Sequence, residues 1–382
     1  MMQNKIGIIG IHETKCEAMN RKDSMSDLIF ETTSLALKDA GIAQSDIDTV
    51  VMAESDQMDG RLIGAMSMAL PAHAYQKDEI RVEDDGASAL ALAYMRCLSG
   101  HFETAVVVSW TMCSQTNLDL ISKFSFDPFF YRPIGLNWIT AGAVQAKSYM
   151  DKWGITPEQA AKVTVKNRAN ALNNDKAHLR SAVTMEEVLK SEYVAWPLRR
   201  LNLATESDGA CAVVLTTEEK AKKLGRPVAA WIAGIGWATD TYHMGDRELW
   251  RLPSLTVAAR KAYAMAGIKN PLQEIDVAEI CDITSYQELM EYEALGLCQE
   301  GEGGRFIDSG APFSQGKLPV NLSGGMLSSN PITAVGLFKV AEAALQVSGR
   351  AGKRQAPKAR VALAHGMSGI CGQSNFVTIL SK

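Results

Sequence analysis

Ala36-Leu37-Lys38-Asp39-Ala40-Gly41-Ile42, followed shortly by Asp46-Ile47-Asp48-Thr49-Val50, returns far along the chain as Ala262-Tyr263-Ala264-Met265-Ala266-Gly267-Ile268 and then Glu274-Ile275-Asp276-Val277. Each copy reads as a helix stopped by a glycine free to take positive φ, then a short loop and a buried strand. A second echo follows each copy. The small-residue helix of residues 87–98, Ser99-Gly100 and the strand Ala105-Val106-Val107-Val108 are matched by a helix near 341–347, Ser348-Gly349 and Arg360-Val361-Ala362-Leu363. Self-similarity on this scale indicates a duplicated unit. Strands that run as unbroken Val/Ile segments need cover on both faces, which predicts an α/β fold with five layers, α/β/α/β/α, built from two homologous halves.

Residues 1–113 and 197–222 are expected to form the amino-terminal half, and 223–382 the carboxyl-terminal half. The stretch 114–196 matches neither. It reads as helical segments and an aromatic loop carrying Phe124, Phe126, Phe129, Phe130 and Tyr131, and is taken as an insertion in the first half. Ser207-Asp208-Gly209-Ala210-Cys211-Ala212-Val213-Val214-Leu215 returns to a sheet pattern, and residues 218–225 read as the linker into the second half.

With 382 residues, 47% of them apolar and 21% charged, the chain has enough material for two cores. A net charge of -4 gives no basic field for nucleic acid. Lys5-Ile6-Gly7-Ile8-Ile9-Gly10-Ile11 is too short for a signal core and reads as a first strand. No uncharged run reaches membrane-spanning length, so a cytoplasmic protein without a membrane span is expected. The seven cysteines are scattered and never spaced as C-x-x-C, so neither a disulfide framework nor a zinc site is expected, and no metal in this chain. The glycines at 324–325 and at 366, 369 and 372 lack the spacing of a dinucleotide or phosphate loop.

Several motifs, in order, resemble the thiolase superfamily in its sterol-carrier-protein type. They are Ser207-Asp208-Gly209-Ala210, Glu293-Ala294-Leu295-Gly296-Leu297-Cys298, Gly301-Glu302-Gly303, Asn321-Leu322-Ser323-Gly324-Gly325 and Gly349-Arg350-Ala351-Gly352-Lys353-Arg354-Gln355. The resemblance spans nearly the whole chain and agrees with the duplication. It implies coenzyme A as a substrate, a nucleophilic Cys at the amino terminus of a buried helix, a His that activates it, a loop that holds the thioester oxygen, and a second acid/base group. A helix start stabilises a thiolate through its free N–H groups and dipole, and the other groups serve proton removal beside a thioester and hold the oxyanion.

Carried over position by position, the resemblance places Glu83 where the nucleophile belongs, in Glu83-Asp84-Asp85-Gly86; a gapped alignment places Gly86 there. Neither is a thiol. The family's His-Asp-Cys-Phe becomes Cys281-Asp282-Ile283-Thr284, its Gly-His-Pro becomes Ser329-Asn330-Pro331, and its late His is retained as His365 in Ala364-His365-Gly366-Met367-Ser368-Gly369. Cys371 lies in the glycine-rich stretch where other thiolases keep an acid/base cysteine. His365, Cys371, Cys281, Asn330 and Glu83 are therefore the candidate catalytic residues, with Cys113 as a further thiol. Ser323, Gly324, Gly325 and Gly366 are the candidates for contact with the pantetheine arm, and Ser323 and Asn330 for holding the thioester oxygen. Bland readings stand beside these. Glu83, Asp84 and Asp85 serve equally as helix caps, buried cysteines serve as packing, and Asn before Pro marks a turn.

The implied activity is carbon–carbon bond cleavage or formation beside an acyl-CoA thioester. It is either thiolytic acyl transfer on a β-oxoacyl-CoA such as benzoylsuccinyl-CoA, or an aldol/retro-aldol reaction that needs no acyl carrier. The alternative is a catalytically silent subunit that binds CoA esters or scaffolds an acyltransferase complex. The resemblance also implies a homodimeric core and a small zinc-ribbon/OB-fold partner, since no cluster for the CoA phosphates is evident.

Overall fold

The computed structural model describes residues 5–61 and 63–382. Nine strands form a mixed sheet: β1 (Ile6–Glu13), β2 (Thr49–Ala53), β3 (Asp78–Val82), β4 (Thr104–Thr111), β5 (Gly209–Thr217), β6 (Ala230–Thr239), β7 (Val277–Glu279), β8 (Val361–Ser368) and β9 (Ser374–Ser381), in the spatial order β3-β2-β4-β5-β1-β6-β9-β8-β7. The order is the duplication made visible. β1 and β6 each lie antiparallel to β5 and β9, which lie antiparallel to β4 and β8, which in turn run parallel to β2 and β7. The half-sheets join through β1 and β6, where Gly7 pairs with Trp231 and Ile8 with Ala230.

Helices complete the layers. They include α1 (Met25–Ala40) and α2 (Gly86–Leu98) within residues 1–113, α3 (Trp138–Trp153) and α4 (Pro157–Ala171) within 114–196, and α5 (Pro253–Ala266), α6 (Ser285–Ala294) and α7 (Val335–Ser348) within 223–382. Strand alternation assigns each face. In β5, Ala210, Ala212 and Val214 pack with α1, whereas Cys211, Val213 and Leu215 face α2 and α7. In the second half, Leu363, Val377 and Ile379 face α5, while Ala364 and Phe376 face the same central helix pair. The predicted five-layered α/β/α/β/α thiolase-type sandwich is thus the observed one, with α2 and α7 as its middle layer.

The repeat extends to single contacts. Ile9 is the extra residue of a bulge in β1, and the neighbouring Gly10 lies against α1 so closely that a Cβ would stand 2.3 Å from the Ala36 carbonyl oxygen. Gly234 beside the bulge in β6 repeats this against α5, at 2.2 Å from the Ala262 oxygen. Local chemistry starts and stops the helices. Ser24 and Asp27 form a capping box at the start of α1, and Gly41 and Gly267 take positive φ at the ends of α1 and α5.

α3 and α4 pack on α6 and bury Tyr149, Ala160 and Val163 in the second core. Of the aromatic loop, Phe126 is buried, while Phe124, Phe129 and Phe130 are exposed. Residues 218–224 form a short helix closed by Gly225. No helix among the described residues is long and apolar enough to cross a membrane.

Candidate active site

α2 and α7 are the repeat-related helices of the middle layer, and their amino termini meet at one side chain. Asp85 is the N-cap of α2: one carboxylate oxygen accepts the Ala87 N–H at 2.8 Å, and the other accepts the Gly336 N–H, in the first turn of α7, at 2.8 Å. The fit has no slack, because a Cβ at Gly336 or Gly366 would collide with this carboxylate. Asp85 is 3% exposed, and burial pushes its carboxyl up to about 8 against the downward pull of the Ala87 and Gly336 N–H groups. The site therefore offers a buried carboxyl that titrates near neutrality, placed where two helix dipoles point.

Asp85 lies on the wall of a cavity of about 400 Å³. Glu83 and Asp84 from the same loop, Glu206, Asn330, Thr333 and Ser368, with Ser55, Ser122 and Ser125, supply its polar lining. Apolar walls come from the insertion (Leu118, Phe126, Trp138) and from the second half (Ile283, Met326, Ile332, Val335, Met367, Ile370). The space is mostly apolar with a limited set of polar groups, the usual character of a small-molecule site.

Asn330 is held by its backbone. Its N–H donates to Ser207 Oγ at 3.2 Å, and its carbonyl accepts the Ser207 N–H at 3.0 Å. The side-chain oxygen of Asn330 is buried and has no partner. Thr333 is tied to the end of β4, with its N–H donating to Thr111 Oγ1 at 3.0 Å and its hydroxyl to the Trp110 carbonyl at 2.5 Å. Below Met326, the buried Asp282 accepts the Met326 N–H at 2.6 Å and an Asn167 amide N–H at 2.8 Å, with Lys339 at 3.9 Å. Lys339 also reaches Glu279 at 3.6 Å, and Lys166 pairs with Glu288 at 2.9 Å. This buried charged lattice fixes the loops beneath the cavity.

Among the candidates read from the sequence, Glu83 and Asn330 border the cavity. Cys281 and His365 lie behind its wall, both fully buried. The Cys281 thiol donates to the His365 carbonyl at 3.2 Å, His365 Nε2 meets Asn375 Oδ1 at 2.9 Å, and Nδ1 stands 3.6 Å from Glu291. Asn375 donates its amide to Ser254 and Gly372, so its oxygen faces the ring and Nε2 carries the proton. Cys371 lies one residue beyond the lining residue Ile370, in a left-handed conformation, with its carbonyl held by Arg247 at 2.7 Å and Gln145 at 3.2 Å.

Burial raises all seven thiols, those of Cys113 and Cys371 to about 12, and among the described residues none of them lines the cavity. Ser323 and Gly325 border a separate polar recess of about 30 Å³ with Glu13, Lys176 and Lys339, and Ser323 is bonded to Glu279. Gly324 packs against Ala171, and Gly366 against Asp85.

Glu206, Met367 and Thr333 were not singled out in the sequence. Only the proximity of Glu206 to the Ser207-Asp208-Gly209-Ala210 motif hinted at it. The aromatic residues Tyr286 and Tyr292 belong to the second core.

Two duplicated halves whose middle helices open onto one cavity define a thiolase-type fold. Residues 236–382 match the thiolase C-terminal domain-like family. Over 96% of this chain and 97% of the relative, the sequence is 30% identical to an acetyl-CoA acetyltransferase of Methanothermobacter thermautotrophicus. It is 36% identical to the benzoylsuccinyl-CoA thiolase subunit BbsB of Thauera aromatica over 61% of this chain and 60% of that one. The solved Ltp2-ChsH2(DUF35) aldolase superposes with a TM-score of 0.84 and 25% identity, over 99% of this chain and 97% of that one. The chain belongs to the thiolase superfamily.

Proposed function

We propose that the protein cleaves or forms a carbon–carbon bond beside the carbonyl of an acyl-CoA thioester by aldol chemistry, without an acyl-enzyme. The observation that carries this reading is the carboxyl of Asp85, and not a thiol, at the joined starts of α2 and α7 on the cavity wall. Thiolysis needs an enzyme sulfur to carry the acyl group, whereas retro-aldol cleavage needs only a proton acceptor and a place for an enolate. With a β-hydroxyacyl thioester in the cavity, ionised Asp85 takes the hydroxyl proton. The Cα–Cβ bond breaks, the β-carbon leaves as a carbonyl compound, and the electron pair passes into the thioester enolate. The NH2 of the Asn330 amide is the donor for the enolate oxygen, while the Ala87 and Gly336 N–H groups stay on the Asp85 carboxyl. The proton on Asp85 then returns to Cα, which releases the shortened acyl-CoA and restores the carboxylate. Glu83 stands at the cavity edge, and Cys281 and His365 act as packing that fixes the strand ends behind Asp85.

The thiolase homologues support acyl-CoA as the substrate class. No Lys or Arg lines the cavity among the described residues, so the CoA phosphates are to be bound elsewhere. A small zinc-ribbon/OB-fold subunit completing that part of the site is the corresponding proposal. The relative from Thauera is itself named a subunit, and the Ltp2 aldolase is described together with ChsH2(DUF35).

The test is turnover of β-hydroxyacyl-CoA and β-oxoacyl-CoA esters by the purified protein, alone and with co-purifying small subunits. Retro-aldol products are expected. The variants Cys281→Ser and Cys371→Ser are expected to stay within about tenfold of wild type, since the loss of a general acid/base or nucleophile costs 10²-fold or more. An acyl group trapped on a cysteine would overturn the reading. Binding of CoA esters without turnover in either format would point to a silent scaffolding subunit instead.

A further inference from the structure

The electrostatic character of the cavity bears on which acyl groups it admits. Four carboxyl groups, from Glu83, Asp84, Asp85 and Glu206, border it, and no Lys, Arg or His does so among the described residues. Glu206 is exposed towards this space, and burial of its surroundings raises its carboxyl above the ordinary value. Among the described residues Glu206 has no Lys or Arg at ion-pair distance, whereas the buried Asp282, Glu279, Glu288 and Glu342 are each answered by a lysine or arginine. Its place is fixed, because the backbone bridge between Glu206 and Asn330 sets the two residues side by side. The Asn330 side chain, 6% exposed and with an unpartnered oxygen, faces the same space. The remaining wall is apolar apart from the uncharged hydroxyls of Ser55, Ser122, Ser125, Thr333 and Ser368.

A ligand in such a space must answer acceptors with donors and bring no negative charge of its own. We infer that Glu206 and Glu83 make the site selective for neutral, hydroxyl-bearing acyl groups and reject acyl groups that end in a carboxylate. The inference rests on the reading of this cavity as the acyl-thioester site, but not on the carbon–carbon chemistry. It separates this chain from the Thauera relative, whose named substrate, benzoylsuccinyl-CoA, carries a free carboxylate on its acyl part. Two carboxylates facing one another across a partly solvated cavity repel by an amount between the limits for water and for protein interior, on the order of tenfold in affinity.

Isothermal titration calorimetry with S-alkyl thioether CoA ligands, which cannot be cleaved, measures the selectivity apart from turnover. Two ligands of equal length are compared, one ending in a hydroxyl and one in a carboxylate, with the protein and any co-purifying subunit. The hydroxyl ligand is expected to bind at least about tenfold more tightly. In the double variant Glu83→Gln/Glu206→Gln the gap should close, and high salt should narrow it in the wild type. Equal or tighter binding of the carboxylate ligand overturns the inference, as does an undiminished gap in the double variant or no binding of the hydroxyl ligand. If the gap is present but the corresponding β-hydroxyacyl ester is never cleaved, the aldol reading fails and the selectivity stands.

Discussion

A carboxyl buried at the meeting of two helix starts is subject to opposing forces, and Asp85 shows both. Loss of water disfavours its charged form, the N–H groups of Ala87 and Gly336 favour it, and burial wins, leaving the group near 8. If the ionised form accepts the substrate proton, kcat/KM for carbon–carbon cleavage should rise with pH and level off above about 8. Asp85→Asn should lower it by about 10² to 10⁴ while CoA-ester binding persists; a flat pH profile would rule out this role. Stability carries the opposite sign. Between the ordinary carboxyl value near 4 and about 8, the unfolded chain is ionised while folded Asp85 holds its proton, so folding takes up a proton. The contribution is present at low pH and lost as pH rises through about 8. The stability of the wild type relative to Asp85→Asn, measured by urea unfolding, should therefore decline across that window. At this scale the sequence singled out Glu83 and read Asp85 as a helix cap, and both border the cavity. Glu83 holds the aligned position, yet two residues later the chain turns Asp85 inward, and no local pattern distinguishes the inward from the outward acid.

Elements explain why the repeat was legible. A helix capped by glycine and followed by a buried strand leaves its signature in adjacent residues, and both copies formed as read. The same logic gives Gly10 and Gly234 a shared task, the close approach of a bulged strand to its covering helix. Gly10→Ala and Gly234→Ala should each cost about 1–3 kcal/mol, because the added methyl meets backbone and not a side chain that can swing away. Similar losses in denaturant midpoint would verify that the contacts are equivalent, whereas neutrality of either would show that its helix can retreat. Lys339 in α7 gives a larger expected effect. Replacing it by Met leaves Glu279 and Asp282 without their shared cation, an expected loss of about 3–5 kcal/mol by thermal or urea unfolding. The insertion was read only as helical with an aromatic loop, because its helices find their burial against α6 of the other half and not in one another.

For the whole molecule, two half-sheets joined by a short strand contact enclose one helix pair, and that geometry creates the cavity. Its walls come from residues within 55–126, 138, 206, 283 and 326–370 together, so its polar groups are brought to one space from segments far apart in sequence. The pairing of Ser207 with Asn330 and the meeting of Asp85 with Gly336 are the clearest cases. The sequence by itself determined the duplicated fold, its five layers and the family, because helix caps, strand alternation and ordered motifs are written in neighbouring residues. Only the tertiary structure decided which polar groups face the cavity. It set His365, Cys281 and Cys371 behind the wall and brought Asp85, Asn330 and Glu206 to the front, since side-chain direction and burial are properties of the packed layers and not of any segment alone.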